Sequence, residues 1–577
     1  MRYFNQTMLA AAGMAFVLAA CTSDDEWDDT LDVIESDGKY VGKAVGNFSA
    51  EEWYPGGTLG TTENVYAGCY QDRSPAAMAN YYYDPFFLGE QMFEKRYTEK
   101  TKPYHGLGPA SVRTSCIDCH PGYGHGKRME QYVTQFQNGN GYLLAIYHPT
   151  DGANSNDGPY IAEVTGMPQT QATAPFKAPI DESRIRMQWH TVQEMPSGLP
   201  LEFPDGEKFE LIYPEVTIPT TAFNTYPQPE NIAVRLESTI GIIGSGMLDA
   251  IPQDSIRAQY EKTAAYAKMS GHEELINPNF WDIEAGDFAP GALYSLNEGK
   301  LADGTYIPAG TKALKRFTYA MTRASLQDGP GANAIWNITN VSRPDRPKLY
   351  TTEAWAEAMS RDADVISAIQ ANPASPYYHD GTQSGIAQAV RTLLSPSTNQ
   401  FDNAYHNFTP EMTSDQFYSL MVWHRGLAIP RARNLNDKEV QRGKEMFTQI
   451  GCAQCHRPKW QTTDDNYWTP TCIADKPLPQ YKNQTIYPYS DFMHHKLYMA
   501  NDIHGSWCRT TPLWGRGLSM LNTGAQDRLH DCRARNEIEA IMWHAYSRDS
   551  HAFESTFRFY NLPKADRDAI VKFLRAI

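Results

Sequence analysis

Two copies of one short pattern constrain this chain more than anything else in it: Cys116-Ile117-Asp118-Cys119-His120 and Cys452-Ala453-Gln454-Cys455-His456. Cys-x-x-Cys-His is the spacing at which haem c is attached. Two thiols a turn apart can each add to a vinyl group of one porphyrin. The His that follows lies on the same turn and can offer its Nε2 to the iron. All three groups must face one rigid disc, so the spacing is a geometric demand. A redox Cys-x-x-Cys has no need of the His, and a zinc site needs a second ligand pair close by. The expectation is two covalent haems c, held by Cys116, Cys119, Cys452 and Cys455, with His120 and His456 as metal ligands.

At 577 residues the chain has room for two or three domains with separate cores. Its formal net charge of −16, with no basic cluster, makes nucleic acid a poor partner. An acidic surface can steer a basic electron donor or simply keep the protein soluble. The N-terminus reads as a leader: Arg2, an apolar run from Met8 to Ala20, then Leu18-Ala19-Ala20-Cys21. That run is too short to span a bilayer and suits the core of a signal peptide. Leu-Ala-Ala-Cys resembles a bacterial lipobox, in which Cys21 takes the lipid, and Ser23-Asp24-Asp25-Glu26 looks like an acidic export tag. The expected location is therefore the outer membrane, as a lipoprotein facing the periplasm or the cell surface, anchored rather than spanning. Of nine cysteines, Cys69, Cys472, Cys508 and Cys532 remain unassigned, and an oxidising compartment suggests two disulfides in one of three connectivities.

Internal echoes suggest duplication. Gly443-Lys444-Glu445-Met446-Phe447 mirrors Gly89-Glu90-Gln91-Met92-Phe93, each ahead of a Cys-x-x-Cys-His, and Ile242 to Met247 parallels Leu513 to Leu518. A helix is expected over 86–97. Another should open on a capping box of Asn436 with Glu439, then carry Val440, Phe447 and Ile450 on one stripe. From Thr413 a helix puts Phe417, Leu420, Met421 and His424 on one face, where His424 reads as a surface or packing residue rather than a ligand. Ile570, Phe573, Leu574 and Ile577 mark a closing amphipathic helix over 563–577. Residues 130–235 hold short β-like runs such as Phe209 to Tyr213, broken by Pro and Gly.

The expected fold is mainly α, with two cytochrome c-type haem domains, the first carrying long irregular and β-containing insertions. The expected divisions are a signal peptide over 1–20, an acidic tether and extension over 21–80 and an N-terminal haem domain over 81–260. A loop-rich region over 261–410 and a C-terminal haem domain over 411–577 follow.

Several stretches together resemble one family. They are Gly106-Leu107-Gly108-Pro109 before the first motif, Gly246 to Pro252, Arg442-Gly443 through the second motif, and Arg509-Thr510-Thr511-Pro512-Leu513-Trp514-Gly515. To these add Leu529-His530-Asp531-Cys532-Arg533-Ala534-Arg535 and Ile538 to His544. The chain resembles the di-haem oxidoreductases described as thiol oxidoreductases or peroxidases, distant relatives of bacterial di-haem cytochrome c peroxidases and of the MauG enzymes. Cys532 stands where the family usually has Gly, and Cys508 is also unusual in its motif. Two extra cysteines in adjacent motifs favour a Cys508–Cys532 disulfide, which leaves Cys69 with Cys472. Tyr489 to Leu497 resembles a family segment but lacks its Asp-Met after the His.

The occupant of the sixth iron position largely decides what a haem c does. The resemblance points to His544 at the C-terminal haem, with His495, His530 and Met542 as rivals. At the N-terminal haem His125, His148, His190, Met247 and Met321 all stay open, as does an open iron. In the open case Asp249 and Glu237 are the candidate catalytic acid–base groups for peroxide cleavage. Trp514 and Trp543 could relay electrons or simply fill the core. The relatives also suggest a calcium ion between the domains. Three readings follow. In the first, a peroxidase-like oxidoreductase takes electrons from a donor protein or quinol-linked cytochrome at the C-terminal haem. It passes them to a reactive N-terminal haem that meets a small oxidant such as hydrogen peroxide. The second is an electron carrier with both irons six-coordinate, and the third an accessory of iron or haem acquisition.

Overall fold

The computed structural model describes residues 40–99, 106–132, 141–149, 160–328, 333–346, 349–396 and 410–577. The leader and Cys21 lie outside the described residues. Among those residues, no helix is long and apolar enough to cross a membrane.

The helices that matter are, in chain order, α1 (Tyr83–Glu94), α2 (Gln253–Ser270), α3 (Glu353–Arg361), α4 (Ala363–Gln370) and α5 (Gln383–Leu394). They continue with α6 (Ser414–Gly426), α7 (Lys438–Gln449), α8 (Glu537–Trp543) and α9 (Lys564–Ala576). Local chemistry sets their ends. Thr413 caps α6 by accepting the Gln416 amide at 3.2 Å, and the Gln416 side chain reaches back to the Thr413 amide at 3.0 Å. Helix α1 stops at Glu94, short of the expected 97, because the Ser115 hydroxyl bonds its last carbonyls, those of Phe93 and Glu94. At α7 the box between Asn436 and Glu439 does not form. A turn closed by the Asp437 amide on the Asn434 carbonyl puts Asp437 at the cap, where it accepts the Glu439 amide at 2.8 Å.

Two close helix crossings organise the chain. α1 lies against α6, and α7 lies against α9. At the first, Gly89 leaves no room for a Cβ, which would run into the Ser419 carbonyl and the Trp423 Cβ. At the second, Gly443 is closed in by the Ala569 carbonyl and the Phe573 Cβ in the same way. One turn further on, Phe93 packs on Trp423 with ring centres 4.5 Å apart, and Phe447 on Phe573 at 5.3 Å. The sequence echo of Gly-x-x-x-Phe is thus a repeated crossing. Helix α6, at the start of the stretch expected as the C-terminal haem domain, is the packing partner of α1.

Helix takes 35 % and strand 16 % of the structure, a mixed composition rather than a mainly helical one. Much of the strand lies between the crossings. β1 (Tyr142–Tyr147) pairs antiparallel with β4 (Ala233–Ser238), and β2 (Arg186–Thr191) with β3 (Ile212–Thr217). The run read at Phe209 to Tyr213 becomes strand only from Ile212. In β4 the buried residues alternate, with Val234, Leu236 and Ser238 inward and Glu237 on the other face. Later, β5 (His494–Lys496) pairs with β6 (Trp507–Arg509) and sets His495 opposite Cys508. Helices α3, α4 and α5 bury Trp355, Ile369 and Val390 in a separate apolar cluster.

An alanine normally favours a helix over glycine by about 1 kcal/mol, whereas forcing a methyl into a filled contact costs about 1–3 kcal/mol. Gly443→Ala should therefore lower stability in chemical denaturation, with the sign reversed from helix propensity. A gain in stability would contradict the crossing.

Candidate functional site

Each Cys-x-x-Cys-His motif opens on a 3₁₀ turn, over Cys116–Asp118 and Cys452–Gln454, the second directly after α7 and the first well beyond the end of α1 at Glu94. Before the second, Gly451 adopts φ +103, a left-handed conformation that lets the chain leave α7 and turn at once. The crossing helices then steady each His. Phe93 lies 6.0 Å from the His120 ring, and Phe447 lies 6.1 Å from that of His456.

Each of these imidazoles is oriented by its Nδ1. His120 Nδ1 donates to the Ile240 carbonyl at 3.0 Å, and His456 Nδ1 to the Tyr489 carbonyl at 3.1 Å. That fixes the tautomer and leaves the Nε2 lone pair for a metal, the arrangement in which imidazole ligands are usually held. Burial keeps both rings neutral, lowering His120 to about 4 and His456, which also feels His544, to about 4. Burial raises the Cys116 thiol, and pushes Cys452 up to about 12, so neither resembles the low-pKa thiol of a redox pair.

The C-terminal site borders a cavity of about 210 Å³, lined by Cys452, Cys455, His456, His544, Ile570 and Leu574, among others. His544 ends α8 and faces His456 across it, with its Nδ1 donating to the Ala540 carbonyl at 2.7 Å. With metal–nitrogen bonds of about 2 Å on each side, two imidazoles sharing one metal ion have ring centres roughly 6 Å apart. Those of His456 and His544 are 6.5 Å apart. The rivals are engaged elsewhere. His495 Nε2 meets Asp491 at 2.7 Å, His530 Nε2 lies 3.2 Å from Asp502, and Met542 is buried in the core.

The sites fit a haem in a second respect. Arg509 is buried with its Nε and Nη2 unpartnered, and Arg516 with its Nη1 unpartnered. Both line the large cavity and a neighbouring one of about 40 Å³, which Trp514 and His125 also line. Burial lowers Arg509 to about 10, as expected of a guanidinium lacking its anion. Haem carries two carboxylates, which would supply that anion. Nothing in the sequence reading marked these arginines, although Arg509 opens the Arg-Thr-Thr-Pro motif.

At the N-terminal site the expected acid–base pair is not free. Asp249 accepts the Leu326 amide at 3.1 Å, the Gln327 side-chain amide at 3.2 Å and Arg425 Nη1 at 2.6 Å. Arg425 bridges to Asp465, so Asp249 is one wall of a buried ion pair. Glu237 lies on β4 opposite Leu143 and close enough to Cys508 and Tyr319 to raise both. Candidate ligands also disperse. His125 Nδ1 donates to the Gly126 carbonyl and its Nε2 pairs with the Tyr319 hydroxyl, both at 2.9 Å. His148 and His190 belong to the strand region, His190 paired with Glu215 at 2.8 Å, while the Met247 sulfur packs on Gly56 and Gly60. Met321 is buried on a turn closed by its amide on the Thr318 carbonyl. Trp543 is core, stacked beneath Arg533 at 4.6 Å.

His424, read from sequence as a surface or packing residue, is 2 % exposed, and neither of its ring nitrogens has a hydrogen-bond partner. The expected disulfides are absent as well. Cys508 Sγ faces His530 Nδ1 and Cys532 Sγ faces His125 Nδ1, each at 3.8 Å. Cys69 receives a hydrogen bond from Asn522, and Cys472 lies near Arg343 and Asp345. Proximity of the two motifs in sequence did not bring these sulfurs together, because each packs against a different histidine. Two clusters among the described residues could hold a metal ion: Cys455 with Asp491 and His495, and Asp502 with Cys508 and His530. Both mix sulfur and nitrogen, unlike the oxygen sets calcium takes.

The family model described as di-haem oxidoreductase, putative peroxidase, matches residues 388–577. Over those residues the chain is similar to the di-haem oxidoreductases. The matched stretch opens in α5 and takes in α6, the second motif, Arg509, Arg516 and His544, whereas the first motif lies before it. No curated protein matches the chain.

Two measurements check this arrangement. Denatured without reductant, Cys69, Cys472, Cys508 and Cys532 should all take up an alkylating agent, read as added mass; protection of any pair would restore a disulfide. Asp249→Asn should cost about 3–5 kcal/mol of stability by stranding part of a buried pair, seen as a lower denaturation midpoint. Unchanged stability would return Asp249 to the list of free carboxylates.

Proposed function

We propose that this chain is a di-haem c oxidoreductase of the peroxidase type. Cys116 and Cys119 would hold one haem and Cys452 and Cys455 the other, through thioether bonds, with His120 and His456 as ligands. The paired helix crossings, each ending on a Phe-steadied His, support reading the two halves as cytochrome c-type haem domains. When bound, the two haems supply one-electron chemistry.

The observation that carries the reading is the facing of His456 and His544 at 6.5 Å, each with Nδ1 tied to a backbone carbonyl. A haem held by both His456 and His544 would have no place for an oxidant, which suits a site that only accepts and hands on electrons. The C-terminal side is then where an electron-donor protein or quinol-linked cytochrome delivers electrons. The N-terminal side is where a small oxidant such as hydrogen peroxide is met. Arg509 and Arg516, lining both cavities, would anchor haem carboxylates between the two centres and exclude water there. The leader ending at Cys21 supports export and a lipid anchor at the outer membrane. A second reading, a carrier with both irons six-coordinate, is favoured by the buried, unpartnered imidazole of His424.

The test is donor-linked consumption of peroxide by the purified two-haem protein. Wild type should consume it, and His544→Ala should slow turnover about tenfold or more, a loss of roughly 1.4 kcal/mol in barrier terms. The same variant should convert one low-spin haem signal to high spin. A reduced wild-type protein indifferent to peroxide would leave the carrier reading.

A further inference from the structure

The repeated crossing allows residues of one half to be located in the other. Gly89 and Gly443 are equivalent, as are Phe93 and Phe447, because each pair meets the same kinds of atom one helix away. Trp423 and Phe573 are equivalent as the rings that receive those phenylalanines. The next residue on each receiving helix is His424 on α6 and Leu574 on α9. Leu574 lines the cavity that holds Cys452, Cys455, His456 and His544. By the same geometry His424 faces the space beside Cys116, Cys119 and His120.

His424 is an anomaly there unless something binds it. Both ring nitrogens are buried and lack a partner. A buried imidazole in that state forgoes its hydrogen bonds to water with nothing in exchange. Leucine, the residue at the equivalent place in the other half, would fill the position without that cost. The ring is also near enough to His120 of the first motif for the two imidazoles to interact electrostatically. Its neighbour Arg425 cannot be the partner, because its guanidinium is held by Asp249 and Asp465.

We propose that His424 is the second axial ligand of the iron at the N-terminal haem site, opposite His120. This rests on the reading that Cys116, Cys119 and His120 carry a haem. The two halves then solve the same problem from different elements: the C-terminal iron takes its second imidazole from His544 after α8, the N-terminal one from the helix α6 itself. Where a haem is bound there, the His424 side chain would have to move aside before a small oxidant could be met.

The experiment is low-temperature electron paramagnetic resonance and near-infrared magnetic circular dichroism of the exported full-length protein, oxidised, with haem content measured alongside. Wild type should show two haems per chain, both low spin with two imidazole ligands. In His424→Ala and the near-isosteric His424→Gln, both haems should stay attached, one low-spin signal should be lost to a high-spin one, and added imidazole should restore it. Two low-spin haems in both variants, or one high-spin haem already in wild type, would overturn the assignment while leaving the two-haem reading intact. A single haem per wild-type chain would overturn the two-haem reading and the assignment together. The wild-type spectrum decides on its own should a variant fail to accumulate.

Discussion

The absence of a side chain at two positions underlies the architecture. Gly89 and Gly443 let helix backbones touch, and that contact sets how deep Phe93 and Phe447 go. Each phenylalanine then rests on the imidazole of the motif that follows. Burying such a ring contributes about 1.5–3 kcal/mol, and aromatic pairing adds about 0.5–1.5 kcal/mol more. The same contact that stabilises the fold therefore fixes the direction of a candidate metal ligand. A methyl group at either glycine would push the helix outward and take the phenylalanine from its histidine.

Charge is managed differently in the two halves of the interior. Around α6 the buried guanidinium of Arg425 is matched by Asp249 and Asp465, and the network is complete within the protein. Between the two cavities Arg509 and Arg516 are buried with donors left over. Cations in that state are costly to keep in a low-dielectric interior unless an anion arrives. The first arrangement belongs to the fold, and the second belongs to whatever fills the cavities.

Much of the fold was legible because it rests on local patterns. The Gly-x-x-x-Phe echo, the closing helix with Ile570, Phe573 and Leu574, and the Thr413 start are all matters of spacing along one element. Asn436 failed as a cap because a turn at Asn434 decides which residue stands at the helix entrance. The strands around 142–238 were only partly read, since short paired segments depend on partners far away in the chain. Asp249 looked like a candidate acid because a carboxylate in sequence shows no partner, and Arg425 is 176 residues away. The Cys508–Cys532 pairing failed for a related reason: neighbouring motifs share a region without sharing a contact.

The sequence by itself determined that two thiols and an imidazole share one turn in each motif, because that spacing is a matter of local geometry. It also marked the end of α8 as a candidate site, where the resemblance runs through His544. Only the tertiary structure decided which imidazoles face which. His544 stands across the cavity from His456, and His424 is enclosed near His120, because helices far apart in the chain cross there. A ligand on the same turn as its thiols is local and can be read along the chain. A ligand that arrives from another helix depends on packing, and packing is settled only when the chain has folded.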